Sequence, residues 1–134
     1  MDILLTTDAH RYFDVMSFHP YGSTPDRTAG RFTSFLSKMR LNTNYATKPI
    51  WVTETGYNTS WSNKGAFVMS EQQKADYLVS TARQLYALGV ALPLFVYTLH
   101  ENETSPEYGL TSKDPVTLRT TYFPAFYAYR DLAF

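Results

Sequence analysis

The chain has 134 residues, enough for one hydrophobic core, with the apolar and charged fractions of an ordinary globular domain. Lys plus Arg number 12 and Asp plus Glu number 12, so there is no broad basic field to hold nucleic acid or an anionic membrane surface. Cysteine is absent, which excludes a disulfide framework and a thiolate metal site, and no apolar run is long enough to span a membrane.

The first residues, Met1 to Asp8, show neither the basic start nor the sustained apolar stretch of a secretory signal. Tyr12 to Phe18 (YFDVMSF) is a short, mostly apolar run ending at His-Pro-Tyr-Gly, the pattern of a buried parallel strand followed by a turn. Beyond the polar stretch Gly22 to Asp26, Phe32, Phe35, Leu36 and Met39 recur at helical spacing and place one apolar stripe against a sheet. Pro49-Ile-Trp-Val-Thr-Glu54-Thr-Gly reads as a second strand, with its proline at the start, where a missing N–H is tolerated.

Ser70-Glu-Gln-Gln73 has the form of a capping box. Ala75, Leu78, Val79, Ala82, Leu85 and Tyr86 then give a helical apolar face that stops at Gly89. Val90 to Leu99 (VALPLFVYTL) is a third buried strand, and Phe123-Pro124 opens a closing helix that runs to Leu132. The resulting order of strand and helix, repeated along the chain, predicts an α/β fold of about three βα units with parallel strands. An open doubly wound sheet and a closed barrel both satisfy that order. No strand is followed by a GxGxxG or GxxxxGK loop, so the nucleotide-binding version of the open sheet has no support and no cofactor is expected.

Side chains at the C-terminal ends of parallel strands face the ligand, and residues two apart share a face. That rule presents His19 with Tyr21 on the first strand and Val52 with Glu54 on the second. Glu54 is thereby a carboxylate in the mouth of a site. Tyr57 and Trp61, in the loop that follows, are either platforms for the flat apolar face of a ligand or loop anchors. His10, His19 and His100 lack the spacing of metal ligands, so no metal is expected.

The segments SFHPYG, KPIWVTETGY and LFVYTLHEN followed by PEYGL resemble the sixth, seventh and eighth barrel strands of the clan A glycoside hydrolases. Within the clan the chain is most similar to the β-xylosidase and α-iduronidase family. The resemblance covers almost the whole chain and implies that residues 1–134 are the C-terminal portion of a (β/α)8 TIM-barrel catalytic domain that cleaves a carbohydrate substrate by retaining hydrolysis. Glu54 matches the nucleophile and Tyr21 the tyrosine that hydrogen-bonds it, with His19 supporting that network or a substrate hydroxyl.

The family's acid comes from an Asn-Glu pair that ends strand four. Asn102-Glu103 has those letters but follows the strand that matches strand eight, so it is not expected to be the acid. On the last strand, where relatives place an aromatic floor for the sugar, the straightforward register puts Val96. Tyr97 beside it serves only if the register differs, and His100 is the remaining polar contact. A complete barrel needs about 250 residues. The chain is therefore expected to be a fragment, without substantial hydrolysis alone, that joins the missing N-terminal half of the barrel or self-associates. Two other readings stay open: a non-catalytic carbohydrate-binding or assembly module, and an unrelated small open α/β domain that is a stable monomer with a closed core.

Overall fold

The computed structural model describes residues 6–59, 69–101 and 107–132. Three strands, β1 (Met16–Phe18), β2 (Ile50–Thr55) and β3 (Ala91–Val96), form one parallel sheet in the order β1-β2-β3. Parallel neighbours need crossover connections. Helices α1 (Pro25–Arg40) and α2 (Glu71–Ala87) supply them, and α3 (Pro124–Arg130) packs beside α2. The fold is thus of α/β class with parallel strands joined by helices, as the alternation of elements predicts, and it fits the partial βα barrel that the family resemblance implies.

Local sequence explains each helix boundary. Thr24 accepts a hydrogen bond from the Arg27 amide at 3.2 Å, with Pro25 in the first turn of α1. Ser70 and Gln73 form a reciprocal capping box at the start of α2, at 3.1 and 2.8 Å. Just past its end Gly89 takes φ +87°, a conformation that a side chain would oppose.

The helix-facing side of the sheet contributes Met16, Ile50, Val52 and Leu94 to a core completed by Phe32, Phe35, Met39, Tyr45, Leu85 and Val90. Burying a side chain such as Phe32 or Leu85, neither of which is exposed at all, is worth about 1.5–3 kcal/mol. A second cluster of Tyr57, Ala75, Tyr77, Leu78, Leu110 and Ala125 lies where α2, α3 and the strand-end loops meet.

Three features depart from the expected elements. The first strand begins at Met16, not Tyr12; a 3-10 turn over Asp8–Arg11 precedes it, and Tyr12 projects into solvent. The third ends at Val96, short of Leu99. An antiparallel hairpin, β4 (Thr111–Lys113) with β5 (Thr120–Tyr122), follows the sheet. All three residues of β5 are exposed, so no alternation of apolar and polar residues announces it. Asp114 closes its turn by accepting from the amides of Val116 and Thr117 at 2.9 and 2.7 Å.

Strict alternation also fails on β2. Val52 pairs with Leu94 and Thr55 with Val96, so β2 carries one more residue than β3 between those pairs. This irregularity turns Glu54 out of register with Val52. Val52 lies wholly in the helix-facing core, whereas Glu54 faces open space with Tyr21. The expectation that Val52 and Glu54 share a face is therefore corrected.

Candidate active site

Two loops meet at the C-terminal ends of the strands. After β1 the chain runs His19-Pro20-Tyr21-Gly22, and three consecutive carbonyls of this turn each accept a hydrogen bond from a different element. The Thr55 hydroxyl reaches the Pro20 carbonyl at 2.9 Å, the Arg31 guanidinium the Tyr21 carbonyl, and the Tyr77 hydroxyl the Gly22 carbonyl at 2.9 Å. Tyr77 also pairs with the buried hydroxyl of Thr28 at 2.6 Å. Strand β2 and both long helices thereby fix the backbone that carries Tyr21.

From this clamp the Tyr21 hydroxyl donates to Oε1 of Glu54, although the two residues lie on separate strands. Nδ1 of His19 stands 3.7 Å from Oε2 of the same carboxylate, and its Nε2 lies 3.0 Å from the Thr53 hydroxyl, which also pairs with Ser17. A tautomer with its proton on Nδ1 turns an N–H toward Glu54 while Nε2 accepts from Thr53. Burial, then the hydrogen bond to Glu54, pushes the Tyr21 phenol far above its ordinary value, so it remains a donor across the neutral range.

A cleft of about 420 Å³ opens over this carboxylate, lined by Tyr21, Glu54, Tyr97 and Tyr108. Tyr108 stands edge-on to Tyr97 at 5.7 Å and to Tyr21 at 6.4 Å between ring centroids. Burial raises its phenol as well, with Tyr97 the next contributor. Gly56 lets the chain pass under these rings: a Cβ there would collide with the Tyr97 carbonyl and lie 3.5 Å from the Tyr108 ring.

The cleft thus brings together Glu54 and Tyr21, with His19 reaching the carboxylate from the rim, and Tyr97 on the wall. Val96 packs against both core clusters, so the straightforward register on β3 is corrected in favour of Tyr97. Tyr57 is 4% exposed and stacks obliquely on Tyr77 at 4.5 Å, so it anchors its loop and offers no face to a sugar. His100 bonds Thr111 at 3.1 Å and does not line the cleft. Trp61 and the pair Asn102-Glu103 lie outside the described residues. Tyr108 was not singled out from the sequence; its segment PEYGL contributes to the family resemblance but says nothing about which way the ring points.

Among the described residues no cluster of His, Asp or Glu is arranged to hold a metal ion, and no helix is long and apolar enough to cross a membrane. No second carboxylate lines the cleft among those residues.

No family model and no curated protein matches the chain. Solved structures do. A GH128 subgroup I endo-β-1,3-glucanase from Amycolatopsis mediterranei, in complex with laminaritriose and laminaribiose, matches with a TM-score of 0.64 at 22% identity, over 98% of this chain and 51% of that one. A family 39 glycoside hydrolase from Bacteroides cellulosilyticus matches with a TM-score of 0.70 at 17% identity, over 94% and 28%. A family 1 β-glucosidase from Thermotoga maritima matches with a TM-score of 0.58 at 18% identity, over 87% and 34%. The chain spans about half the length of the first of these and less of the others. The likeness is one of fold, to part of the TIM barrel of glycoside hydrolases.

Proposed function

We propose that this chain carries the nucleophile half of the active site of a retaining O-glycoside hydrolase, as the C-terminal portion of its barrel. The observation that carries the reading is the Glu54 carboxylate, bonded by Tyr21 on one oxygen and approached by His19 on the other, beneath a cleft walled by tyrosines. The similarity in fold to glycoside hydrolases supports it.

In this chemistry one Glu54 oxygen attacks the anomeric carbon as the bond to the leaving oxygen breaks, and a second carboxylic acid about 5–5.5 Å away protonates that oxygen. Water, deprotonated by the same second group, then releases the sugar and restores Glu54. The Tyr21 hydrogen bond keeps the carboxylate ionised and aimed, and the tyrosine rings stack on the apolar faces of the sugar. The acid belongs to a segment outside the described residues, so little hydrolysis is expected where that segment is missing.

The test is covalent trapping of the complete enzyme with a 2-deoxy-2-fluoro glycoside, followed by peptide mass spectrometry. Label on Glu54, lost in Glu54→Gln, supports the reading; label on another carboxylate refutes it. A second reading, a non-catalytic sugar-binding module, is favoured by the same cleft having three tyrosines and a single carboxylate among its lining residues. Calorimetry with laminaritriose that shows binding, in an assembled protein that never turns the sugar over, would select it.

A further inference from the structure

Lys74, on α2, touches no part of the Glu54 cleft, yet among the described residues it is the one charged residue that is buried. A buried ammonium is costly unless its three donors and its charge are met. The partners of Lys74 meet both needs: Glu71 lies at 2.9 Å, the Gly109 carbonyl at 2.8 Å and the Glu107 carbonyl at 3.4 Å, with the Phe123 ring at 5.0 Å. The two carbonyls flank one residue, Tyr108.

The backbone around Tyr108 needs such a grip. Glu107 has φ +70°, in the left-handed region that a residue other than glycine enters only when its surroundings hold it there. Gly109 is threaded so closely past Glu101 and Thr111 that a Cβ would collide with both. One residue later the Leu110 amide bonds the Thr98 carbonyl at 2.9 Å, joining this segment to the chain that follows β3. The ring that emerges between these fixed points stands against Tyr97 and Tyr21 and over Gly56.

We infer that Lys74 is the positioning residue for Tyr108, and that through it α2 sets the width of the cleft above Glu54, with the Tyr108 ring as a stacking wall for a pyranose. The second half of this inference rests on the reading of the cleft as a sugar site; the first does not.

The experiment separates the two. A 3-fluorotyrosine placed at position 108, with a control label at the remote Tyr45, is followed by fluorine NMR in the full chain and in Lys74→Met, Lys74→Gln and Lys74→Arg. Laminaritriose affinity is measured alongside by calorimetry. Lys74→Met is expected to shift and broaden the signal at 108 while that at 45 stays in place, and to weaken binding about tenfold. Lys74→Arg, which keeps the cation and its donors, should retain most of the unaltered signal at 108 and most of the affinity. Should Lys74→Met fail to fold, Lys74→Gln, with fewer donors and no charge, carries the same comparison. Glu107→Gly added to either variant should recover part of the signal, because glycine needs no partner to stay left-handed. An unchanged signal at 108 in a folded variant that lacks the cation overturns the positioning role. Unchanged affinity with a shifted signal overturns Tyr108 as a sugar wall. If the unaltered protein binds no laminaritriose, the sugar-wall half falls with it, and the fluorine spectra still decide the role of Lys74.

Discussion

The phenol of Tyr21 is hydrogen-bonded to the carboxylate of Glu54, two residues that reach each other from the ends of neighbouring strands. Neither strand alone specifies this contact. It depends on the carbonyls of Pro20, Tyr21 and Gly22 being held by Thr55, Arg31 and Tyr77, so that the turn after β1 leans toward the end of β2. A polar contact built this way is ordered by the fold itself, as the nucleophile role proposed for Glu54 requires.

The raised phenol of Tyr21 has a signed consequence for stability. Folded Tyr21 keeps its proton at pH values where the unfolded chain, with an ordinary phenol near 10, has released it. Its contribution is therefore complete below pH 10 and is lost as pH rises beyond that point. Melting temperatures followed from about pH 8 to about pH 11 should fall less steeply in Tyr21→Phe than in the unaltered protein. Some slope will remain, because burial also raises Tyr77, Tyr108 and Tyr129. Parallel slopes would show that Tyr21 titrates normally.

Tyr77→Phe removes the donor to the Gly22 carbonyl and the partner of Thr28 in one step, at a buried site. Leaving these groups unmet should destabilise the protein by about 1–3 kcal/mol, measured by urea unfolding. Thr28→Val in that background should add much less than it does alone, since the pair is already broken. Fully additive losses would mean that Thr28 and Tyr77 act independently.

How far the sequence could be read follows from where each signal resides. The parallel strands and the α2 helix were legible because Ile50, Val52 and Leu94, like Leu78, Ala82 and Leu85, repeat at the period of their element and are buried by it. Glu54 and Tyr21 were legible from their place at strand ends. What escaped depends on contacts distant in sequence. The register irregularity that separates Val52 from Glu54 arises from pairing with β3, and the choice of Tyr97 over Val96 turns on that same strand end. Tyr57 has the composition of a sugar platform, and only the ring of Tyr77, a residue of another element, makes it an anchor. Tyr108 takes its direction from Lys74, and a single lysine within an amphipathic helix carries no mark of its burial.

Two glycines should respond oppositely to the same substitution. Gly56→Ala drives a methyl into the Tyr97 carbonyl and toward the Tyr108 ring, so the loop must move; the expected loss is about 1–3 kcal/mol, with the tyrosine signals of the cleft displaced. Gly30, inside α1, has open space where its Cβ would lie. Gly30→Ala should therefore raise stability by about 0.5–1 kcal/mol through helix propensity alone. Thermal unfolding of both variants checks the pair, and a neutral Gly56→Ala would show that the loop after β2 yields freely.

Phe95 of β3, 45% exposed, and Leu99 beyond the end of that strand, 62% exposed, lie with Phe126 and Tyr129 of α3 around an apolar cleft of about 390 Å³. Among the described residues β3 pairs only with β2, so apolar side chains and a free strand edge coincide there. Such an edge draws in another strand, whether from a further part of a barrel or from a second copy of this chain. Sedimentation of the chain by itself should accordingly show association that grows with concentration. Phe95→Lys should weaken it by placing a charge in the contact, while a charge at Val116, an exposed residue of the turn between β4 and β5, should not. A chain that sediments as a monomer at every concentration, and is indifferent to Phe95→Lys, would mean that this edge is closed by its own structure and that the small self-contained α/β domain is the better description.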